Sequence, residues 1–262
     1  MNLDLKNKRA IVCGSTQGIG KAVAMELASM GCNVTLVARN EEALKKTKSE
    51  LPTGDNQIHS YLCVDFGDAA KLKELTEAFI QRSGPVNILI NNTGGPPAGP
   101  VHAAKTDEFL TAFNQHLICN HILAQACIDG MKNSGYGRII NIISTSVKQP
   151  LPNLGVSNTI RAAVANWSKT MANELGKFNI TVNNVLPGAT ATQRLSSIID
   201  NKALKTNTSN DSVKNEMLHE IPMGRFAEAA EIANAVAFLA SPSASYINGI
   251  NLPVDGGRTG CL

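Results

Sequence analysis

Three glycines near the amino terminus have the spacing needed to hold the phosphates of a dinucleotide. Gly14, Gly18 and Gly20 follow an apolar run at residues 9–13 and precede a helical pattern. Glycine at a strand-to-helix turn allows the tight turn, lets the backbone approach a pyrophosphate and lets the helix pack close to the strand. Because free N–H groups at the helix start attract phosphate, this context is a specific signal for a nucleotide site. Three neighbours join the cofactor-binding candidates: Ser15, Thr16 and Ile19.

The residue after the second predicted strand indicates which dinucleotide binds. An NAD site usually places an acidic residue there, whereas this chain has Arg39, which would meet a 2′-phosphate. We therefore predict NADP(H) in preference to NAD(H), which the sequence does not exclude. The alternative for Arg39 is a surface cation in a loop. Asp65, after the third predicted strand, is either an acceptor for the adenine amino group or a helix cap before Asp68.

Seven short apolar runs alternate with helical patterns along the chain. The runs span residues 10–13, 33–38, 58–64, 86–91, 138–143, 180–185 and 250–254. Runs of this length and composition are typical of buried parallel strands. The alternation predicts an α/β Rossmann fold in one domain, residues 1–262, with a doubly wound parallel sheet of about seven strands and helices on both faces. Ligands of such sheets bind at the carboxyl ends of the strands, where the glycine turn and Arg39 also lie.

The overall composition argues against some binding partners and predicts the cellular compartment. Hydrophobic residues make up 43% of the 262, enough for a central sheet, and the net charge of +3 comes without a basic block, which argues against nucleic acid. The six cysteines stand singly, as reduced thiols of intracellular proteins do. Without a signal-peptide core or a membrane-spanning run, we expect a cytoplasmic protein with no membrane contact. The histidines are too scattered to predict a metal site.

The least apolar stretch of the chain is residues 200–216. We predict that it belongs to a mobile flap, residues 193–223, beside the substrate cleft. The alternative is a solvated insertion without a role.

These motifs together resemble the short-chain dehydrogenase/reductase family over nearly the whole chain, and in particular its bacterial 3-oxoacyl-carrier-protein-reductase-like members. The matching segments are the glycine motif at 14–20, Asn-Asn-Thr-Gly at 91–94, the serine-bearing strand at 142–144, the nicotinamide segment at 185–188 with Thr192, and the carboxyl-terminal signature at 254–257. The resemblance adds further cofactor-binding candidates: Asn91, Gly94, Arg161, Pro187, Gly188 and Thr192.

The resemblance also implies an activity and an assembly. It implies an NADP(H)-dependent oxidoreductase acting on a carbonyl or hydroxyl substrate, with a 3-oxoacyl thioester as one candidate. It further implies a homodimer or homotetramer formed through helices at 104–131 and 153–176.

The family uses a serine, a tyrosine, a lysine and an asparagine in catalysis, and this chain keeps only the serine. Ser144 matches it, and its hydroxyl would hydrogen-bond the substrate oxygen. The tyrosine position holds Ser157, the lysine position Arg161 and the asparagine position His116. Residues four apart share a helix face, so Ser157 and Arg161 should both point to the cleft. Arg161 can still hold the nicotinamide ribose, but the Ser157 hydroxyl is a far weaker acid than a phenol.

The proton that a phenol would donate must therefore come from another group. The candidates are Lys148, His116 and a water held by Ser157. An unperturbed histidine titrates near neutrality, and a partly desolvated lysine can act as an acid. Each has a structural alternative: a solvated loop cation for Lys148, a satisfied helix histidine for His116 and a small helix residue for Ser157. For Ser144 the alternative is a strand-end serine bonded to local backbone.

Three hypotheses for the function follow. The first is an NADP(H)-dependent oxidoreductase with an atypical proton donor. The second is an NADP(H)-binding protein with reduced catalysis that acts as a sensor or a partner subunit. The third is a lyase or isomerase that uses the same pocket without net redox chemistry.

Overall fold

The computed structural model describes residues 1–54 and 56–261, and within them seven strands form one parallel sheet. The strands are β1 (Arg9–Cys13), β2 (Asn33–Ala38), β3 (Ser60–Cys63), β4 (Ile88–Asn91), β5 (Gly137–Ile142), β6 (Ile180–Pro187) and β7 (Asn251–Val254). They lie in the order β3-β2-β1-β4-β5-β6-β7. Each strand coincides with one of the seven predicted runs to within a few residues. The predicted Rossmann fold is therefore confirmed.

Nine α-helices connect these strands in the described part of the chain. They are α1 (Gly18–Ser29), α2 (Glu41–Glu50), α3 (Ala69–Ser83), α4 (Thr106–Phe113), α5 (Cys119–Ser134), α6 (Gly155–Leu175), α7 (Gln193–Thr206), α8 (Asn210–His219) and α9 (Ala229–Ala240). α1 packs on α9 over one face of the sheet, and α3 packs on α5 over the other. Both sheet faces are thus covered, as the continuous apolar strands require.

The order of the strands places a crevice in the middle of the sheet. β1 lies between β2 and β4, so the chain first builds outward to β3 and then crosses back to β4. The loops that leave the carboxyl ends of β1 and β4 therefore run in opposite directions. In doubly wound sheets, ligands bind at this point.

Four asparagines cross the second half of the sheet in register. Asn91, Asn141, Asn184 and Asn251 are paired on neighbouring strands from β4 to β7. The side chain of Asn141 accepts from Asn91 at 2.8 Å and donates to Asn184 at 3.0 Å, and Asn184 donates to Asn251 at 2.8 Å. Ser168 of α6 closes the network by hydrogen bonds to Asn141 and Asn184. We call these five residues the asparagine network; it satisfies polar groups that would otherwise be costly inside the sheet.

The polar stretch at 200–216 is mostly helical. It forms the end of α7 and the first part of α8, which turn their apolar residues Ala203 and Val213 inward. An ion pair of 2.9 Å between Lys202 and Glu216 joins the two helices. The segment 193–223 therefore forms a helical pair above the carboxyl edge of the sheet, and its mobility stays a prediction.

Candidate active site

A cavity of about 450 Å³ opens at the carboxyl edge of the sheet. The turn between β1 and α1, the ends of β2 and β3, the loop after β4 and the start of α7 form its walls. Eight of the predicted cofactor-binding residues line it: Gly14, Thr16, Gly18, Ile19, Arg39, Asp65, Gly94 and Thr192. The structure thus brings together in one cavity residues that are up to 178 positions apart in the chain, from Gly14 to Thr192.

The glycine turn keeps backbone exposed to this cavity. Gly14 and Gly18 have φ angles of +58° and +53°, which favour glycine. A Cβ on Gly14 would lie 2.6 Å from the carbonyl oxygen of Asn92, and a Cβ on Gly20 would overlap the carbonyl oxygen of Gly14. The N-cap residue of α1, Gln17, makes no side-chain hydrogen bond to the helix start. The first N–H groups of α1 are thus placed to bind a phosphate, and this cradle fits a dinucleotide.

The two asparagines after β4 have different roles. Asn91 is buried and belongs to the asparagine network, so its side chain does not line the cavity. Asn92 lines the cavity and donates to the carbonyl oxygens of Cys13 and Gly14 at 3.2 and 3.3 Å. Asn92 therefore fixes the glycine turn against the loop that follows β4.

Arg39 and Asp65 form the far wall of the cavity. The side chain of Arg39 is 81% exposed, and its Nη1 lies 3.9 Å from a carboxylate oxygen of Asp65. Asp65 also accepts from the backbone N–H of Gly67 at 2.7 Å, whereas Asp68 is the residue that caps α3. An ion pair this exposed contributes little to stability, so Arg39 can turn toward a ligand phosphate at small cost.

Five other predicted cofactor residues do not line the cavity: Arg161 on α6, Ser15, Gly20, Pro187 and Gly188. Ser15 is fully buried, and its hydroxyl donates to the carbonyl of Val37 at 3.4 Å. Gly20 packs beneath the turn, and Pro187 and Gly188 lie at the end of β6. These residues shape the backbone around the cavity.

Ser144 lies just beyond the end of β5. It is half-buried and caps a short 3-10 helix at Thr145–Val147, where its Oγ accepts from the N–H of Ser146 at 3.1 Å. Lys148 ends the same 3-10 helix and is also half-buried. Both residues are therefore at the carboxyl edge of the sheet, although neither lines the cavity.

Ser157 and Arg161 are buried residues of α6. Each is only 8% exposed, and Arg161 Nη1 donates to the carbonyl oxygen of Ile142 at 2.9 Å. Within the described residues, Nε of Arg161 has no hydrogen-bond partner. Burial, helped by the charge of Arg194, lowers the pKa of Arg161 to about 10, so its guanidinium stays charged at neutral pH. Neither side chain lines the cavity, and Arg161 is anchored to the end of β5, so the expectation that both point to the cleft stays a prediction.

His116 is hydrogen-bonded to the loop after β4, which lines the cavity. It is in a π-helical turn, Asn114–Ile118, that joins α4 to α5, and its Nδ1 hydrogen-bonds the hydroxyl of Thr93. Single π turns of this kind are frequent at functional sites. Burial and the charges of Arg161 and Arg194 lower the pKa of His116 to about 3. Titration near neutrality was expected for an unperturbed histidine, but in this fold the imidazole is neutral at pH 7.

Some cavity residues lie outside the motifs that the sequence matches, among them Gln115 and Arg194. Asn92 and Thr93 belong to the Asn-Asn-Thr-Gly motif at 91–94, and Gly95 follows it directly. Arg194 is in the first turn of α7, and its Nη1 donates to the carbonyl of Gly95 at 3.3 Å. In the sequence Arg194 stands two positions after Thr192, at the start of the predicted flap, and nothing there separates it from a solvated arginine.

No group of three or more histidine, cysteine, aspartate or glutamate side chains is arranged to hold a metal ion within residues 1–54 and 56–261. Over the same ranges, every helix falls short of the length and apolarity that crossing a membrane requires.

Comparison with known proteins gives matches along nearly the whole chain. A family model described as Enoyl-(Acyl carrier protein) reductase matches residues 14–259. The NADPH-dependent reductase BacG of Bacillus subtilis is 30% identical over 254 residues, covering 97% of this chain and 98% of the relative. The 3-oxoacyl-[acyl-carrier-protein] reductase FabG of Vibrio cholerae is 36% identical over 259 residues, with the same two shares.

Solved structures agree in fold. The crystal structure of YwfH, an NADPH-dependent reductase involved in bacilysin biosynthesis, superposes with a TM-score of 0.91 at 30% identity, covering 97% of this chain and 99% of that one. L-sorbose reductase from Gluconobacter frateurii, complexed with NADPH and L-sorbose, gives a TM-score of 0.90 at 28% identity, with both chains covered completely. The residues that build the cavity thus lie in a backbone shared with reductases.

Proposed function

The chain belongs to the short-chain dehydrogenase/reductase family, and on this premise we propose that it is an NADP(H)-dependent oxidoreductase that transfers a hydride between nicotinamide and a carbonyl or hydroxyl group. Membership confirms the resemblance drawn from the glycine turn and the carboxyl-terminal signature. The observation that carries the proposal is the cavity itself, in which a glycine turn open to phosphate faces Arg39. NADPH, when bound, supplies the hydride.

The residues of the cavity divide the work of holding the cofactor. The N–H groups at the start of α1 bind the pyrophosphate, and Arg39 turns from Asp65 to the 2′-phosphate. The relatives named as NADPH-dependent support this assignment, as does the lack of an acidic residue at position 39.

Ser144 is proposed to bind the substrate oxygen. Its Oγ already accepts from Ser146, which orients the hydroxyl so that its hydrogen is available to a substrate carbonyl. Arg161 holds the end of β5 through the Ile142 carbonyl and keeps the region positive, which stabilises negative charge that develops on the oxygen. Arg161 also occupies the position at which the family lysine holds the ribose, and the resemblance predicts the same role for it.

The proton is proposed to come from Lys148 or from a water held by Ser157. His116 is a weaker candidate than the sequence indicated, because its low pKa leaves no imidazolium to donate at neutral pH. A neutral imidazole instead contributes a hydrogen bond.

The finer expectations stay predictions. Relatives are named for 3-oxoacyl-carrier-protein, steroid and sugar reduction, so a 3-oxoacyl thioester is one candidate substrate among several. The cytoplasmic location, the homodimer or homotetramer, the single domain at 1–262 and the flap at 193–223 also stay predictions. The relatives are named as reductases and dehydrogenases, which gives no support to the sensor hypothesis.

The test is a turnover assay with Ser144→Ala. NADPH oxidation is followed across a panel of ketones, sugars and 3-oxoacyl thioesters. We expect at least one substrate for the wild type, and a loss of about 100-fold or more in kcat with Ser144→Ala at unchanged NADPH affinity. If the wild type binds NADPH but reduces no member of a broad panel, the proposed activity is wrong.

A further inference from the structure

We propose that the substrate carries a carboxylate, and that this carboxylate binds to the two cations Arg161 and Arg194 beside His116. The inference rests on the proposed function and names the substrate class of the same site. We call Arg161, Arg194 and His116 the cationic cluster.

Three separate elements bring the cationic cluster together. Arg161 comes from α6, His116 from the π turn between α4 and α5, and Arg194 from the first turn of α7. The loop after β4 joins them, because Thr93 hydrogen-bonds His116 and the Gly95 carbonyl accepts from Arg194. Of the cationic cluster, Arg194 lines the cavity, together with Thr93 and Gly95. His116 and Arg161 are buried behind this wall and do not line the cavity themselves.

The cluster has no counter-charge of its own. Among the described residues, no carboxylate lies within 4 Å of Arg161 or Arg194. Asp65 is the acidic residue on the cavity wall, and it pairs with Arg39 at the other end. Arg161 and Arg194 are close enough that their charges lower the pKa of His116 together. Arg161 is buried, and a buried cation without an anion is costly; Arg194 is exposed on the cavity side. An anion bound at Arg194 would reduce the repulsion between the two charges.

Two buried donors are also left without partners. Within residues 1–54 and 56–261, neither Nε of Arg161 nor Nε2 of His116 makes a hydrogen bond, although the two residues are only 8% and 2% exposed. When Nδ1 of the neutral imidazole accepts from Thr93, Nε2 carries the hydrogen and can donate it. An anionic oxygen would satisfy these groups, whereas a ketone oxygen accepts more weakly.

Arg194 is exposed to solvent, but its guanidinium lies directly against the backbone of Gly95. A Cβ at Gly95 would overlap Nη2 of Arg194, so glycine leaves the room in which the guanidinium lies. The cofactor phosphates have their own partners at the glycine turn and at Arg39. Arg194 lines the same cavity as the glycine turn, so titration with keto acids must separate a substrate carboxylate from a cofactor phosphate as its partner.

The test compares keto acids with their methyl esters. The protein is saturated with NADP⁺, which cannot reduce a ketone, and is titrated with acetoacetate, levulinate and the methyl ester of each. We expect each acid to bind at least about tenfold more tightly than its ester, because hydrogen bonds to charged groups contribute that much. Arg194→Gln should weaken the binding of the acids by about 10- to 100-fold and leave the esters unchanged.

Two further variants show whether weaker acid binding comes from the Arg194 guanidinium itself or from the loss of any positive charge on α7. Lys205→Gln removes an exposed cation from the same helix and should change neither ligand. Gly95→Ala should displace the guanidinium and reproduce the loss seen with Arg194→Gln. If no acid binds better than its ester, or if Arg194→Gln weakens NADP⁺ binding and leaves the ratio of acid to ester affinity unchanged, the inference is wrong. A protein that binds no NADP⁺ at all would instead contradict the proposed function.

Discussion

The two halves of the sheet use polar groups in opposite ways. On the side of β1, β2 and β3, backbone at the glycine turn and the charges of Arg39 and Asp65 face an open cavity. On the side of β4 to β7, polar side chains are buried in the asparagine network, and Arg161 is anchored to the end of β5. The first half is arranged to bind the cofactor, and the asparagine network in the second half holds the frame of the sheet. Changes to the glycine turn or to Arg39 should therefore alter cofactor affinity, and changes to the asparagine network should alter stability.

The largest effect is expected at Gly14. The variant Gly14→Ala places a Cβ 2.6 Å from the carbonyl oxygen of Asn92, at a φ of +58° that alanine avoids. NADPH affinity should fall by more than about 100-fold, because the turn must move away from the phosphate. Titration calorimetry measures the change.

Gly135→Ala is the matched control for this variant. Gly135 ends α5 at a φ of +60°, but a Cβ there meets nothing within 4 Å. The control should lower the free energy of unfolding by about 1 kcal/mol and leave NADPH affinity unchanged. Equal NADPH affinity in both variants would show that the glycine turn does not hold the phosphates.

The next effect concerns the asparagine network. Asn141→Ala removes the hydrogen bonds to Asn91, Asn184 and Ser168 in the interior. Since buried donors and acceptors lose their partners, the free energy of unfolding should fall by about 2–4 kcal/mol. NADPH affinity should stay the same. Urea denaturation measures the free energy of unfolding, and the exposed Asn173→Ala on α6 is the control. If Asn141→Ala were as stable as the wild type but bound NADPH more weakly, the network would serve binding rather than stability.

A smaller effect is expected at Arg39. Arg39→Gln removes the cation proposed to meet the 2′-phosphate, so NADPH affinity should fall by about 10- to 100-fold and NADH affinity should not fall. The exposed Lys46→Gln on α2 should change neither. Fluorescence titration with both cofactors gives the ratio of NADPH affinity to NADH affinity. If Arg39→Gln left this ratio unchanged, Arg39 would be a surface cation only.

The smallest effect is a pH dependence from His116. Its folded pKa of about 3 lies below the ordinary value of 6.5, so the unfolded chain binds more protons between these values. The stabilisation is therefore present above pH 6.5 and is lost as the pH falls toward 3. When the pH falls from 6.5 to 5, the free energy of unfolding of the wild type should decrease by about 2 kcal/mol more than that of His116→Asn.

The comparison with His116→Asn isolates this histidine. Burial also lowers the pKa of His59, which both proteins share, so the difference between their unfolding curves cancels its contribution. Parallel losses of stability in the two proteins would mean that His116 is protonated in the fold at pH 5.

The sequence predicted the first half of the molecule better than the second. The roles of Gly14, Gly18 and Arg39 can be predicted from neighbouring residues, because the strand, the tight turn and the helix follow each other in the chain. Asn91 and Asn92 are neighbours with the same side chain, and only the pairing of β4 with β5 decides which one is buried. That pairing joins Asn91 to Asn141, so it cannot be predicted from the residues next to Asn91.

The second half depends on contacts between distant segments. His116, Arg161 and Arg194 meet across 78 positions, and the pKa of His116 follows from that meeting rather than from its neighbours in the chain. The seven strands were predictable because each one is a continuous apolar run. The helical pair α7 and α8 was less so, because few of its residues are buried.

The most direct measurement is a titration of the wild-type protein with NADPH and with NADH, followed by fluorescence and by heat. The cavity beside Gly14 and Arg39 predicts saturable binding of both, with NADPH the tighter ligand. Absence of saturable binding, or tighter binding of NADH, would contradict the claim that this cavity binds NADP(H).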